Sequence, residues 1–251
     1  MSDATFVRRK MSELKREAAY RTRYRVNAYP AAYLPLARVR HRHSPDYPIS
    51  RGTELVIEAF GRSGSTFAFH GFRLAQPREV RVAHHTHAAA QVITAVKWGK
   101  PTIVIVRPPV DAALSHMARH EIPARAALQA WIRFHERILP YREGFVVTSF
   151  AEMTRDFAAV VARTNERFGT SYVVWESSPE YDQRIYDSIN KRNLERFGPG
   201  ESDAKAQALA RPTAAREALK ERMRAEVESP RLAAIRARAD GLYTQLVGSD
   251  P

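Results

Sequence analysis

Residues 101–106 read Pro-Thr-Ile-Val-Ile-Val, and residues 54–60 read Glu-Leu-Val-Ile-Glu-Ala-Phe. Each run is too short for a helix and nearly apolar throughout, the pattern of a strand covered on both faces. Such strands belong in a parallel sheet packed between helices, and the rest of the chain supplies the alternation. Residues 65–75 can form a helix, 79–85 (EVRVAHH) alternate like a strand, and 88–99 (AAAQVITAVKWG) read as a helix stopped by glycine. Helices are expected over 111–120 and 123–140, and a strand over 144–149 (GFVVTS). One helix then opens on a capping box, Ser149 with Glu152, and closes at Gly169. SYVVW (171–175) reads as a short further strand, 198–210 as a loop, and 212–228 and 230–247 as amphipathic helices. The fold class is therefore α/β: a central, mainly parallel sheet flanked by helices, with a helical C-terminal part. Ligands on such sheets sit at the carboxyl ends of the strands, so the functional loops should begin near residues 60, 85 and 107.

Ahead of this alternation lies a different kind of sequence. Residues 1–50 read as a basic N-terminal extension and 51–251 as the α/β domain. Positions 6, 7, 11, 14 and 18 give the first 25 residues a helical period, whereas prolines at 30, 35, 45 and 48 predict an extended, irregular linker over 29–48. That linker can wrap the core or touch a membrane surface. Residues 1–48 hold eleven Lys/Arg against four acids, over half of the chain's net charge of +13. Such a field favours an anionic partner: a nucleotide, an acidic glycan, an anionic lipid surface or nucleic acid. There is no cysteine, which excludes disulfides and thiolate metal sites. No apolar run is long enough to span a membrane, and the basic N-terminus has no apolar segment behind it as a signal peptide would. A cytoplasmic location is expected.

Three stretches carry chemistry. The first, Gly61-Arg62-Ser63-Gly64-Ser65-Thr66, joins the first strand to a helix. Glycine allows close backbone approach, and the amides from Ser63 to Phe67 at a helix start make an anion cradle, with Arg62 adding a charged fork. A triphosphate loop would end in Gly-Lys-Ser/Thr and hold Mg²⁺, and this one does not. The second is Arg107-Pro-Pro-Val-Asp111-Ala-Ala-Leu-Ser115, where an arginine ends the strongest strand and a serine follows eight positions on. Together they can grip one phosphate, while the plainer alternative is an Arg107–Asp111 ion pair. The third is His84-His85-Thr86-His87. If the strand continues, His85 and His87 share a face and His84 points away. One histidine with a pKa near 6–7 suffices as a general base, and with neither cysteine nor an adjacent carboxylate no metal is expected.

Taken in order, these stretches resemble the sulfotransferase family. Arg62-Ser63-Gly64-Ser65-Thr66 is similar to its donor loop, His85-Thr86-His87 to its Lys-Thr-His, and Arg107, Asp111 and Ser115 to its Arg-x₃-Asp-x₃-Ser. Phe150-Ala-Glu-Met153 resembles its Tyr-Glu-Asp-Met helix start. The resemblance covers about residues 54–170. It implies a P-loop-type three-layer fold and 3′-phosphoadenosine 5′-phosphosulfate (PAPS) as donor, with adenosine 3′,5′-bisphosphate as product. It implies that Arg62, Ser63, Gly64, Ser65, Thr66 and Phe67 cradle the 5′-phosphosulfate, that Arg107 and Ser115 hold the 3′-phosphate, and that His87 acts as base. Arg62 would stabilise the leaving group, and His85 would meet the substrate. Arg62 stands where lysine is usual, His85 where Lys-Thr-His has its lysine, and Phe150 where tyrosine is usual. The family's late Arg-Lys-Gly segment is absent. The acceptor is expected to be a small molecule, a glycan or a lipid-linked compound, with no nucleic acid as partner. Two other readings stay open: a small P-loop kinase, which would need a metal carboxylate after a strand, and a non-catalytic protein that keeps a nucleotide fold.

Overall fold

The computed structural model of the chain describes residues 3–44, 47–197 and 214–248. Four strands, β1 (Leu55–Ala59), β2 (Val82–His84), β3 (Thr102–Val106) and β4 (Val146–Ser149), form one parallel sheet in the order β2-β1-β3-β4. Between them run α3 (Ser65–Ala75), α4 (Ala89–Lys97), α5 (Pro109–His120) and α6 (Ala124–Ile138). After β4 come α7 (Phe150–Arg155), α8 (Phe157–Phe168), α9 (Pro179–Phe197), α10 (Ala214–Val227) and α11 (Ala233–Val247). The chain begins with α1 (Asp3–Val26) and α2 (Pro30–Arg40). Among the described residues, no helix is long and apolar enough to cross a membrane.

The two uniformly apolar runs are covered on both faces, as their composition requires. Leu55, Ile57, Ala59, Ile103 and Ile105 pack with α3 and α8 in one apolar cluster. Val104 and Val106, one position out of phase, pack instead with α5, α6 and α11 around Trp131. Val56 faces a third cluster formed with α2 and α4. Period-two alternation thus divides one sheet between two helical layers.

Four expectations are corrected. The stretch 29–48 is not an irregular linker throughout, because α2 occupies Pro30–Arg40. Pro30 sits at the first helical turn, where its missing N–H costs nothing. Pro35 lies inside the helix and removes one backbone bond. Burial of Tyr33, Leu34 and Ala37 against the α4 layer offsets that loss, so the segment wraps the core. SYVVW is not a strand: Val173 and Val174 are exposed, and the Val173 amide bonds to the Gln76 side chain rather than to a sheet edge. The helix starting at Ser149 is two helices. Ser149 Oγ accepts from the Glu152 amide as its capping box predicts, but Asp156 then caps α8 by accepting from the Ala159 amide. The second strand is also shorter than 79–85, since its extended backbone stops at His84. The 198–210 stretch lies outside the described residues.

Candidate functional site

Strand β1 delivers its chain to the loop Gly61–Gly64, and α3 starts at Ser65. Gly64 is the residue before the helix and has φ 85°, in the left-handed region. It offers no side-chain cap, so the first amides of α3 keep their free N–H groups and the positive end of the helix dipole faces the loop. Ser63 is fully buried and its Oγ has no hydrogen-bond partner among the described residues. Gly61 is held from outside the loop. His116 Nε2 donates to its carbonyl at 2.8 Å, while His116 Nδ1 accepts from the Tyr20 hydroxyl at 2.9 Å. Burial keeps that hydroxyl protonated and the imidazole neutral.

A side chain at position 64 meets two obstacles. A Cβ there would overlap Met153 Cε and stand 3.1 Å from the Phe150 ring, on a backbone that L-residues avoid. Gly64→Ala is therefore expected to lower the unfolding free energy by about 1–2 kcal/mol from the backbone alone, read by urea denaturation. Unchanged stability would mean that the loop has another conformation open to it.

At the end of β3 the second stretch closes on the first. Arg107 Nη1 donates to the Arg62 carbonyl at 2.9 Å, and Arg62 Nε donates to Ser115 Oγ at 3.3 Å. Arg62, Arg107 and Ser115 therefore form one cluster, although 53 residues separate the first from the last. The Arg107 guanidinium lies 4.4 Å from the centroid of the Phe150 ring. Its Nε is buried without a partner among the described residues, and burial holds its pKa below the usual arginine value. The alternative Arg107–Asp111 ion pair does not form among the described residues. Asp111 is exposed in the first turn of α5 and bears on Arg107 only at longer range.

The histidine stretch departs from strand alternation. His85 has φ 62° and His87 φ 51°, so the backbone leaves the sheet through two left-handed residues. The rings of His85 and His87 stand 5.8 Å apart because of this turn, not because they share a strand face. His84 does not point away, since its Nδ1 is 2.8 Å from His85 Nδ1 and its ring stacks on Phe69 at 3.6 Å. His85 Nε2 meets Thr66 Oγ1 of the loop at 3.1 Å. His87 Nδ1 donates to the Ala59 carbonyl at 3.0 Å, which fixes the tautomer and leaves Nε2 with its lone pair. Among the described residues no cluster of His, Cys, Asp or Glu is arranged to hold a metal ion.

What holds Thr86 and His87 in place is Glu58, which sequence reasoning passed over. Its carboxylate is fully buried. It accepts from Thr86 Oγ1 at 2.5 Å, the His87 amide at 3.1 Å, Gln91 Nε2 at 3.0 Å and the Ala59 amide at 3.0 Å. Burial pushes its pKa up to about 7 against these donors, which favour the carboxylate. Glu58 Oε1 also lies 3.7 Å from His87 Nδ1. The signal was present in the sequence as the one acid inside an otherwise apolar strand, directly before the loop.

The structure thus brings together Arg62, Ser63, Gly64, Ser65, Thr66, His85, His87, Arg107 and Ser115 at the carboxyl end of the sheet. Phe67, on the first turn of α3, lies instead toward α9, with its ring 5.5 Å from Tyr186. No protein-family model matches the chain, and no curated protein does. Among solved structures, it is similar to the crystal structure of mouse sulfotransferase SULT7A1 complexed with PAP. Identity is 14%, the match covers 72% of this chain and 92% of that one, and the TM-score is 0.38. A likeness that loose transfers neither a ligand nor a residue role from one chain to the other.

Proposed function

We propose that the protein is a sulfotransferase, moving a sulfuryl group from PAPS to a hydroxyl or amine acceptor. The observation that carries this reading is the pair of buried donors without a partner among the described residues, Ser63 Oγ and Arg107 Nε, at two ends of one loop cluster. A buried donor left unpaired is costly, and an anionic ligand with two separate charged groups would satisfy both. The amides of Ser63 to Phe67 with Arg62 would hold the 5′-phosphosulfate, and Arg107 with Ser115 the 3′-phosphate. The Phe150 ring beside Arg107 would offer an apolar face nearby. When bound, the donor supplies an activated sulfuryl group whose departure leaves charge on the bridging phosphate oxygen.

The chain's own groups suit that chemistry. Arg62 and the start of α3 aim positive charge at the oxygen that gains negative charge. His87 is neutral, with its proton held on Nδ1 by the Ala59 carbonyl, so Nε2 can take the acceptor's proton. The Glu58 carboxylate beside Nδ1 favours the imidazolium that results. Apart from Glu58, Arg23, Arg62, His84, His116 and His120 bear on His87, and the two arginines are the charged groups among them at neutral pH, so an acceptor with its own negative charge is the better match. Glycans, small molecules and lipid-linked compounds all include such acceptors.

Adenosine 3′,5′-bisphosphate should bind more tightly than 5′-AMP, because only the former reaches Arg107 and Ser115. Arg107→Ala should remove about 1.5–3 kcal/mol of that preference, roughly 10- to 160-fold. Arg107 also holds the Arg62 carbonyl, so affinity for 5′-AMP should fall as well, but less. Calorimetry with the two nucleotides tests this directly, and equal affinities in the wild type would overturn the donor assignment.

A further inference from the structure

Helix α1 carries an apolar stripe that the fold leaves uncovered. Its C-terminal half is anchored, with Tyr20 and Tyr24 buried beside Phe60 and His116. Farther toward the N-terminus, Val7, Met11 and Leu14 are exposed to 56%, 51% and 56%. Spaced four and then three residues apart, they lie on one helical face, and exposed Ala18 continues the line. Glu13, Glu17, Tyr20 and Tyr24 repeat the same spacing on another face, which turns toward the core. By the helical period, Arg8 and Lys15 border the stripe on one side and Lys10 on the other. Helix α2 adds Leu36 and Val39, exposed to 60% and 71% and interleaved with Arg38 and Arg40.

We propose that the first two helices dock the protein on the surface of an anionic lipid bilayer. Val7, Met11 and Leu14 would enter the boundary between headgroups and acyl chains, and the flanking Lys and Arg would lie over the anionic headgroups. Charge selects this occupant. With eleven Lys/Arg against four acids in residues 1–48, a second copy would set like charges against one another. An acidic protein would satisfy the charge. However, a narrow apolar line bordered by long cationic side chains has the form of a helix lying in a membrane interface. No described helix can span a bilayer, so the contact is peripheral. The inference rests on the stripe and its charge, and stands or falls apart from sulfuryl transfer.

Sedimentation of the full chain with extruded vesicles tests it. The protein should pellet with vesicles of equal parts phosphatidylcholine and phosphatidylglycerol, and not with phosphatidylcholine alone. Salt should weaken the binding. Met11→Ser with Leu14→Ser should weaken it roughly tenfold or more, as should Lys10→Ser with Lys15→Ser. Because these four side chains lie at the surface, the melting temperature should not move, which separates lost docking from lost folding. Failure to pellet with the mixed vesicles at low salt would overturn the proposal. So would undiminished binding by the Met11→Ser/Leu14→Ser variant, since charge alone would then account for it. A concentration-dependent dimer abolished by that variant would assign the stripe to a second copy. Equal, stripe-dependent binding to polyglutamate would assign it to an acidic protein.

Discussion

His87→Ala is expected to keep the fold and the affinity for adenosine 3′,5′-bisphosphate while lowering kcat by roughly 10²–10⁴-fold. The side chain is only partly exposed, and among the described residues its one hydrogen bond is to the Ala59 carbonyl, so truncation removes the base without opening the loop cluster. The pH profile adds a second test. An ordinary histidine would give a limb near 6–7, but burial, with Arg62 and Arg23 adding to it, lowers the His87 pKa to about 4. The neutral imidazole is then present throughout the neutral range, so titration of His87 itself should leave no limb in kcat/KM above about pH 5, and a shallower fall near pH 7 would report protonation of Glu58 beside it. An anionic ligand beside the ring would raise its pKa. The limb in kcat, which reports the bound enzyme, should therefore lie above the limb in kcat/KM. Turnover by His87→Ala within about threefold of wild type would place the base elsewhere and leave His87 as a packing residue.

Much of this site was legible because its parts are local. Buried parallel strands are uniformly apolar, so 54–60 and 101–106 stand out, and the loops that follow them must carry the site. Arg62, Arg107 and Ser115 were found one stretch at a time, and the sheet then brought them within hydrogen-bonding distance. Features that depend on distant partners were not legible. The bond from His116 to Gly61 spans 55 residues, and the one from Tyr20 to His116 spans 96. Nothing local marks His116 as the residue that holds the Gly61–Gly64 loop. The position of His84 escapes the alternation for a different reason. Alternation predicts faces only while the backbone stays extended, and His85 leaves that region immediately after β2. In α2 the tertiary burial of Tyr33 and Leu34 prevails over the local signal of its prolines. The break at Asp156 could have been read, since an aspartate three residues before the amide it caps is a start signal inside an apparently continuous helix.

Acid should unfold this protein earlier than its basic composition suggests. Buried histidines are the reason. His70 and His87 are lowered to about 4 and His135 to about 3, in each case first by burial, and His84 and His116 are held well below the ordinary range. Unfolded, each returns to about 6.5 and takes up a proton the native state refuses. Between these values the unfolded chain binds more protons, so stability falls as pH falls. A fully buried histidine such as His135, packed among Phe60, Trp131 and Phe134, contributes on the order of 3 kcal/mol to that loss. Two or three of them approach the whole stability of a typical domain, about 5–15 kcal/mol. Glu58 works in the opposite sense. Its pKa is raised to about 7 by burial, so the native state holds the extra proton from there down to the ordinary carboxylate range, and stability is gained as pH falls across that window. One carboxyl does not balance five histidines. The urea midpoint should therefore be highest near neutrality and drop steeply between pH 6.5 and 4. His135→Leu, which removes one titrating group from an apolar site and with it an Nε2 that has no partner among the described residues, should shift that drop toward lower pH. A midpoint that holds level from pH 7 to 4.5 in the wild type would mean that the native fold admits these protons, and the packing described around the histidines would then be wrong.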